Sequence, residues 1–145
     1  MTTVAWDGET LAADKQGTVD GTPYPITKIA KVKNDTGTFL VGFCGDIGDG
    51  QSFIEYVRRG FKNMPAYNDF TGVVITKGGE IQLHGDANVC SFKADQFAVG
   101  SGGKFARGAM AFGATAVEAV LIASDLDTMT GLGVDRVSFS KTRKE

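Results

Sequence analysis

β-branched and aromatic residues open the chain. Thr2-Thr3-Val4-Ala5-Trp6 reads as a strand, Asp7-Gly8 as a turn, and Glu9 to Asp14 as the returning strand. An aspartate-glycine pair between two such runs predicts a hairpin with a type I′ turn, which needs positive φ at both central residues. A start tied into a sheet in this way is well ordered and suits a reactive group. Gly17 to Pro25 holds two glycines and two of the three prolines, and predicts a loop. Lys28 to Lys33 sets charges against Ile29 and Val32, Asn34-Asp35-Thr36-Gly37 is turn chemistry, and Thr38 to Cys44 is a strand buried on both faces. Gly45 to Gly50 breaks the pattern. Phe53, Ile54, Tyr56, Val57 and Phe61 then recur at helical spacing, with Arg58, Arg59 and Lys62 late in the run, where the helix dipole favours them, and Asn63-Met64-Pro65 stops the helix. Val73–Thr76, Lys77-Gly78-Gly79 and Glu80–His84 predict a second hairpin. Phe97-Ala98-Val99 is a short strand running into Gly100-Ser101-Gly102-Gly103. Ala106, Met110 and Ala111 sit on a small-residue helix interrupted at Gly113. Thr115 and Glu118 form a capping box for a helix reaching about Asp127. Gly131 and Gly133 break it, and Val134 to Phe139 alternates as a last strand. Strands in hairpins and helices in groups, with no β-α-β alternation, predict antiparallel sheets carrying helices.

Composition narrows the function classes. The 145 residues fit one domain, 1–145, and 42% hydrophobic with 22% charged residues is ordinary for a globular chain. A formal net charge of -2 and the lack of a basic stripe argue against a nucleic-acid partner. The basic run Lys141-Thr142-Arg143-Lys144 reads as a frayed, solvated tail. Cys44 and Cys90 read as reduced thiols ahead of a disulfide, and one histidine, His84, without a C-x-x-C pair gives no metal site. His84 reads as an ordinary strand-end residue. No signal-peptide pattern and no membrane-length apolar stretch appear, so a soluble, cytoplasmic protein away from membranes is expected. Gly100 to Lys104 is no phosphate loop, because Phe105 stands where Walker A needs Ser or Thr, and Ser101 lacks the G-x-S-x-G elbow. Pattern and composition alone stop at an α+β domain.

Four segments carry the reading further. They are Met1-Thr2-Thr3-Val4 with Leu11-Ala12-Ala13-Asp14; Lys28-Ile29-Ala30-Lys31-Val32 with Val41-Gly42-Phe43-Cys44-Gly45; Ala98-Val99-Gly100-Ser101-Gly102-Gly103-Lys104-Phe105-Ala106; and Asp127-Thr128-Met129-Thr130-Gly131. In this order and spacing they resemble the proteasome β-subunit and HslV family of N-terminal-nucleophile (Ntn) hydrolases. The resemblance spans nearly the whole chain. It implies a four-layer α-β-β-α sandwich of antiparallel sheets, shortened between Gly50 and Phe97 and at the C-terminus.

The resemblance also implies a threonine-type endopeptidase. Methionine aminopeptidase removes Met1 before a small residue, leaving Thr2 as nucleophile with a free α-amine as base. Lys28 matches the family's active-site lysine, Asp14 the carboxylate that holds it, and Gly45 the oxyanion-hole glycine. Ser101, Asp127 and Thr130 match the group around the terminal amine, with Thr130 where serine is usual. Without the resemblance Thr2 is a strand residue, and Asp14 and Lys28 are surface charges. No cofactor is required for peptide hydrolysis. The implied partners are a polypeptide substrate and further copies of the chain in a ring, with room for an AAA+ unfoldase. Small residues from Ala106 to Ala119 allow close helix packing, between copies or within the chain. Two other readings stay open: a catalytically silent protein of the same fold with a structural or interaction role, and an amide hydrolase of the same superfamily acting on a small molecule.

Overall fold

In the computed structural model, which describes residues 2–85 and 88–140, the opening residues form the expected hairpin. Strand β1 (Val4–Trp6) pairs with β2 (Thr10–Asp14). The turn differs from the expectation. Only Gly8 has positive φ, +94°, so the two-residue loop Gly8-Glu9 follows the type II′ pattern with glycine first. Asp7 organises it through its side chain: Oδ1 accepts from the N–H groups of Glu9 and Thr10, and Oδ2 from that of Ala116.

Gly17 to Pro25 is a hairpin, not a loop. Strands β3 (Gln16–Val19) and β4 (Thr22–Pro25) form a separate two-stranded ribbon. Asp20 and Gly21, with φ of +52° and +77°, supply the two positive values of a type I′ turn. Both prolines lie on an edge, where a missing N–H costs no ladder bond.

Two larger sheets carry the core. Strands β5 (Ile29–Asn34), β6 (Gly37–Gly45), β7 (Phe70–Thr76), β8 (Glu80–His84) and β9 (Val89–Lys93) form an antiparallel meander in chain order. Strands β10 (Phe97–Val99) and β11 (Val134–Ser138) flank β1 and β2 in the order β10-β1-β2-β11. Sequence pattern misses β9, an exposed edge strand on which only Phe92 packs inward. Helix α1 (Ile47–Arg58) starts inside the glycine-rich stretch that reads as a break. Asp46 caps it, accepting from the Asp49 N–H at 2.9 Å, and the Phe43 ring occupies the space a side chain at Gly50 would need. Helices α2 (Gly103–Ala111) and α3 (Ala116–Leu126) follow the pattern, with the Thr115–Glu118 capping box formed in both directions.

Alternation within strands builds the four layers. Val4, Trp6, Leu11 and Ala13 point from one sheet to Ile29, Leu40, Val73, Ile75 and Ile81 of the other. Ala5 and Ala12 point outward to Ala106, Met110, Ala116, Ala119, Val120 and Ala123 of α2 and α3. Ala106, Ala116, Ala119 and Ala123 therefore pack within the chain. On the far side Val32, Val41, Phe43 and Val74 face Phe53, Tyr56 and Val57 of α1. The result is the expected α-β-β-α sandwich. His84 ends β8 as expected, buried among Phe53, Tyr56 and Phe61. Cys44 and Cys90 are free. No helix of the described residues is long and apolar enough to cross a membrane. Met1 and the basic run 141–144 lie outside the described residues.

Candidate active site

Seven positions far apart in sequence meet at one end of the sandwich. Thr2 leads into β1, β2 ends at Asp14, Lys28 precedes β5, and Gly45 closes β6. Ser101 lies in the loop from β10 to α2, Asp127 caps the C-terminus of α3, and Thr130 follows.

Lys28 and Asp14 are not surface charges. They are 1% and 0% exposed, and Lys28 Nζ donates to Asp14 Oδ1 and to Thr2 Oγ1, each at 2.9 Å. A buried carboxylate needs its lone pairs filled. Asp14 also accepts from the backbone N–H groups of Thr3, Gln16 and Gly131. Burial lowers the Lys28 pKa from its ordinary value, and the Asp14 charge and hydrogen bond oppose that shift.

A second carboxylate organises the other side of Thr2. Asp127 Oδ2 accepts from Ser101 Oγ at 2.6 Å and Thr130 Oγ1 at 2.7 Å. Ser101 Oγ, its proton committed to Asp127, accepts from the Thr2 nitrogen at 3.1 Å. Thr130 is likewise committed, so the 2.8 Å contact with Thr3 Oγ1 has Thr3 as donor. Partial burial works to raise the Asp127 pKa, but bonds from Ser101, Thr130 and the Met129 N–H outweigh it and hold the carboxyl below its usual range.

Glycine is required at two points by close approach. Gly100 has φ +101°, and a Cβ there would collide with the Thr2 carbonyl oxygen, so only glycine lets the Gly100–Gly103 loop lie against the Thr2 backbone. Gly45 has φ +108°, and a Cβ there would collide with the Asp69 carbonyl oxygen. Cys44, one residue before, is buried, and burial pushes its thiol pKa up.

Thr2, Lys28 and Gly45 open onto a cavity of about 640 Å³. Its walls include the β3–β4 ribbon and the start of α1. Sequence reasoning missed Thr3, whose N–H donates to Asp14 and whose hydroxyl meets Thr130, because a threonine on a short strand carries no signal by itself. It also missed the carboxylates of the cavity wall, Asp20, Asp46, Asp49 and Asp69; the Asp20-Gly21 turn was the available clue. Among the described residues no group of three or more histidine, cysteine, aspartate or glutamate side chains is placed to hold a metal ion.

No protein-family model matches this chain, and no curated protein sequence matches it. Solved structures do. HslV from Trypanosoma brucei aligns with a TM-score of 0.66 at 21% identity, covering 94% of this chain and 98% of that one. BPH from Thiobacillus denitrificans gives 0.67 at 17%, covering 97% and 99%. Anbu, the ancestral beta-subunit, from Yersinia bercovieri gives 0.68 at 13%, covering 94% and 80%. The layers and these likenesses agree: this chain has the four-layer α-β-β-α fold of HslV, BPH and Anbu.

Proposed function

We propose that this chain is a threonine-type peptidase subunit whose nucleophile is Thr2, exposed by removal of Met1. One observation carries the reading. The Thr2 hydroxyl lies 2.9 Å from a buried lysine that is itself held by a buried aspartate, at the mouth of a cavity.

A hydroxyl attacks only when a base takes its proton. The base is the α-amine of processed Thr2, which has an unperturbed pKa of about 8. Ser101 can only accept from that nitrogen, because its own proton is held by Asp127. The nitrogen lone pair is thereby left to face Thr2 Oγ1, directly or through water. The Lys28 cation favours the neutral amine and stabilises charge growing on Oγ1. Oγ1 attacks the peptide carbonyl, and the backbone N–H of Gly45 receives the developing oxyanion. The C–N bond breaks, the leaving amine takes the proton from the α-ammonium, and an ester remains on Thr2. Water, deprotonated by the same amine, attacks the ester and restores the hydroxyl.

The substrate is a polypeptide, and the working unit is an assembly of several copies in the cytosol, served by an AAA+ unfoldase where folded proteins are degraded. An Anbu complex from Pseudomonas aeruginosa forms a helical assembly, which supports association between copies. BPH from T. denitrificans was solved in complex with epoxomicin, which makes an epoxyketone the natural probe. Intact mass is measured on purified, untagged protein before and after treatment with epoxomicin. Loss of Met1 and one adduct on Thr2 are expected. Retained Met1, or an unreactive free Thr2, overturns the reading and leaves a protein of this fold that works in assembly or binding.

A further inference from the structure

The charge lining the cavity beside Thr2 is mostly of one sign. Among its described lining residues are four aspartates, Asp20, Asp46, Asp49 and Asp69, and one cation, Lys28. Lys28 is fully engaged by Asp14 and Thr2. None of the four aspartates belongs to an ion pair among the described residues. Asp46 accepts from the Asp49 N–H and Asp49 from the Asn68 N–H, which positions both carboxylates without neutralising them. The chain as a whole is nearly balanced, at -2, so four uncompensated carboxylates around one cavity are a local concentration of charge.

The same cavity has an apolar wall of Val19, Ile26, Phe43 and Ile47. A wall that offers both apolar and anionic groups fits a side chain that carries an apolar stem and a cationic head. Lysine and arginine bury a methylene stem and keep a charged head among acceptors. When a peptide carbonyl lies between Thr2 Oγ1 and Gly45, the side chain of the residue bearing that carbonyl is the first to reach this cavity.

Resting on the peptidase reading above, we infer that the site selects polypeptides with lysine or arginine at the residue whose carbonyl is attacked. Acidic residues at that position are excluded by repulsion from the same four carboxylates.

The test uses three fluorogenic peptides identical except for arginine, leucine or glutamate before the scissile bond. The arginine peptide is expected to have a kcat/KM about tenfold or more above the leucine one, with glutamate lowest. Salt raised from about 0.05 to about 0.5 M narrows the ratio, since the carboxylates are largely exposed. The variant Asp20→Asn/Asp46→Asn/Asp49→Asn/Asp69→Asn removes the charge with the least structural change. Asparagine caps a helix as aspartate does and tolerates the positive φ of position 20. Its arginine-to-leucine ratio falls toward one. If circular dichroism shows it unfolded, the single variants Asp20→Asn and Asp69→Asn carry the test, each with a partial fall. Thr2 labelling by epoxomicin together with a leucine or glutamate preference, or an arginine preference that survives neutralisation, overturns this inference and leaves the peptidase reading standing. Failure of labelling and of all three peptides overturns both.

Discussion

Replacing Lys28 with methionine keeps the stem and removes the cation. Nζ lies 2.9 Å from Asp14 Oδ1, a distance at which an effective dielectric of about 20 gives roughly 6 kcal/mol of gross attraction. Desolvation of both ions offsets most of that in the wild type. The variant does not recover the part due to Asp14, which stays fully buried and keeps its three backbone donors without a counter-ion. Stranding a buried charge in this way costs about 3–5 kcal/mol. Asp14→Asn/Lys28→Met strands no charge, though its amide nitrogen replaces one acceptor and faces the Thr3 N–H, so it is expected to recover only part of that loss, about 1–3 kcal/mol. On the proposed mechanism both variants are expected to lose reactivity at Thr2, by about 10²–10³-fold for one electrostatic contact to its hydroxyl. Urea unfolding of the three proteins measures the first effect. The rate of epoxyketone adduct formation, followed by intact mass, measures the second. If Lys28→Met does not fold, the double variant still tests reactivity. Wild-type stability of Lys28→Met refutes the buried-pair argument, and a wild-type labelling rate in either folded variant refutes the role of the cation.

Three further outcomes are expected. His84 is buried, and that burial lowers its pKa. The unfolded chain therefore takes up a proton first, so stability falls as pH drops below about 6.5 toward the lower folded value and levels off beneath it; urea midpoints between about pH 8 and 5 show this, and His84→Phe flattens that part of the curve. Gly100→Ala drives a Cβ into the Thr2 carbonyl oxygen at a φ of +101°, which adds about 1–2 kcal/mol of left-handed strain and displaces Thr2; labelling of Thr2 is expected to fall more than stability does, and an equal, small loss in both counts against the close approach. Phe53→Ala empties the centre of the ring cluster with Tyr56, Tyr67, Phe70 and His84 and is expected to cost about 3–5 kcal/mol in urea unfolding.

Much of the fold was legible because its signals are local. The D-G and K-G-G turns, the apolar run Thr38 to Cys44 and the Thr115–Glu118 box each act within a few residues, and each appears where the pattern puts an element. The misses have physical causes. The Asp20-Gly21 turn was hidden by prolines that read as loop residues but stand on an edge strand. The start of α1 was hidden by Gly48 and Gly50, which lower helix propensity, while the Asp46 cap and the Phe43 ring packed on Gly50 outweigh that. Strand β9 is an exposed edge and needs little apolar alternation. The seven positions of the candidate site were legible only through resemblance. Nothing in local pattern says that Lys28, in a stretch of alternating charges, is buried while Lys31, three residues on, is not; the difference is made by Asp14, which arrives from another sheet.

The two carboxylates that flank Thr2 sit in different surroundings, and the proposed mechanism needs that difference. Asp14 is sealed, filled by three backbone donors and one ammonium. The buried ion pair fixes Nζ against Oγ1, and Asp14 itself is out of reach of water that would weaken its field. Asp127 is half-buried and Ser101 is exposed, so the side of the Thr2 nitrogen is open to solvent. Acylation draws on both sides, since charge grows on Oγ1 beside Lys28 while the amine takes the proton. Hydrolysis of the ester needs the wet side, where a water must reach the amine that deprotonates it. Closing that side to water therefore burdens the second step, which consumes a water, more than the first. Ser101→Val removes the acceptor that holds the amine, which slows both steps, and sets two methyl groups on the exposed side, so release of the acyl group is expected to slow more than its formation. The two steps separate as a burst of product followed by a slow steady rate, and a uniform slowing without a burst refutes this division of roles.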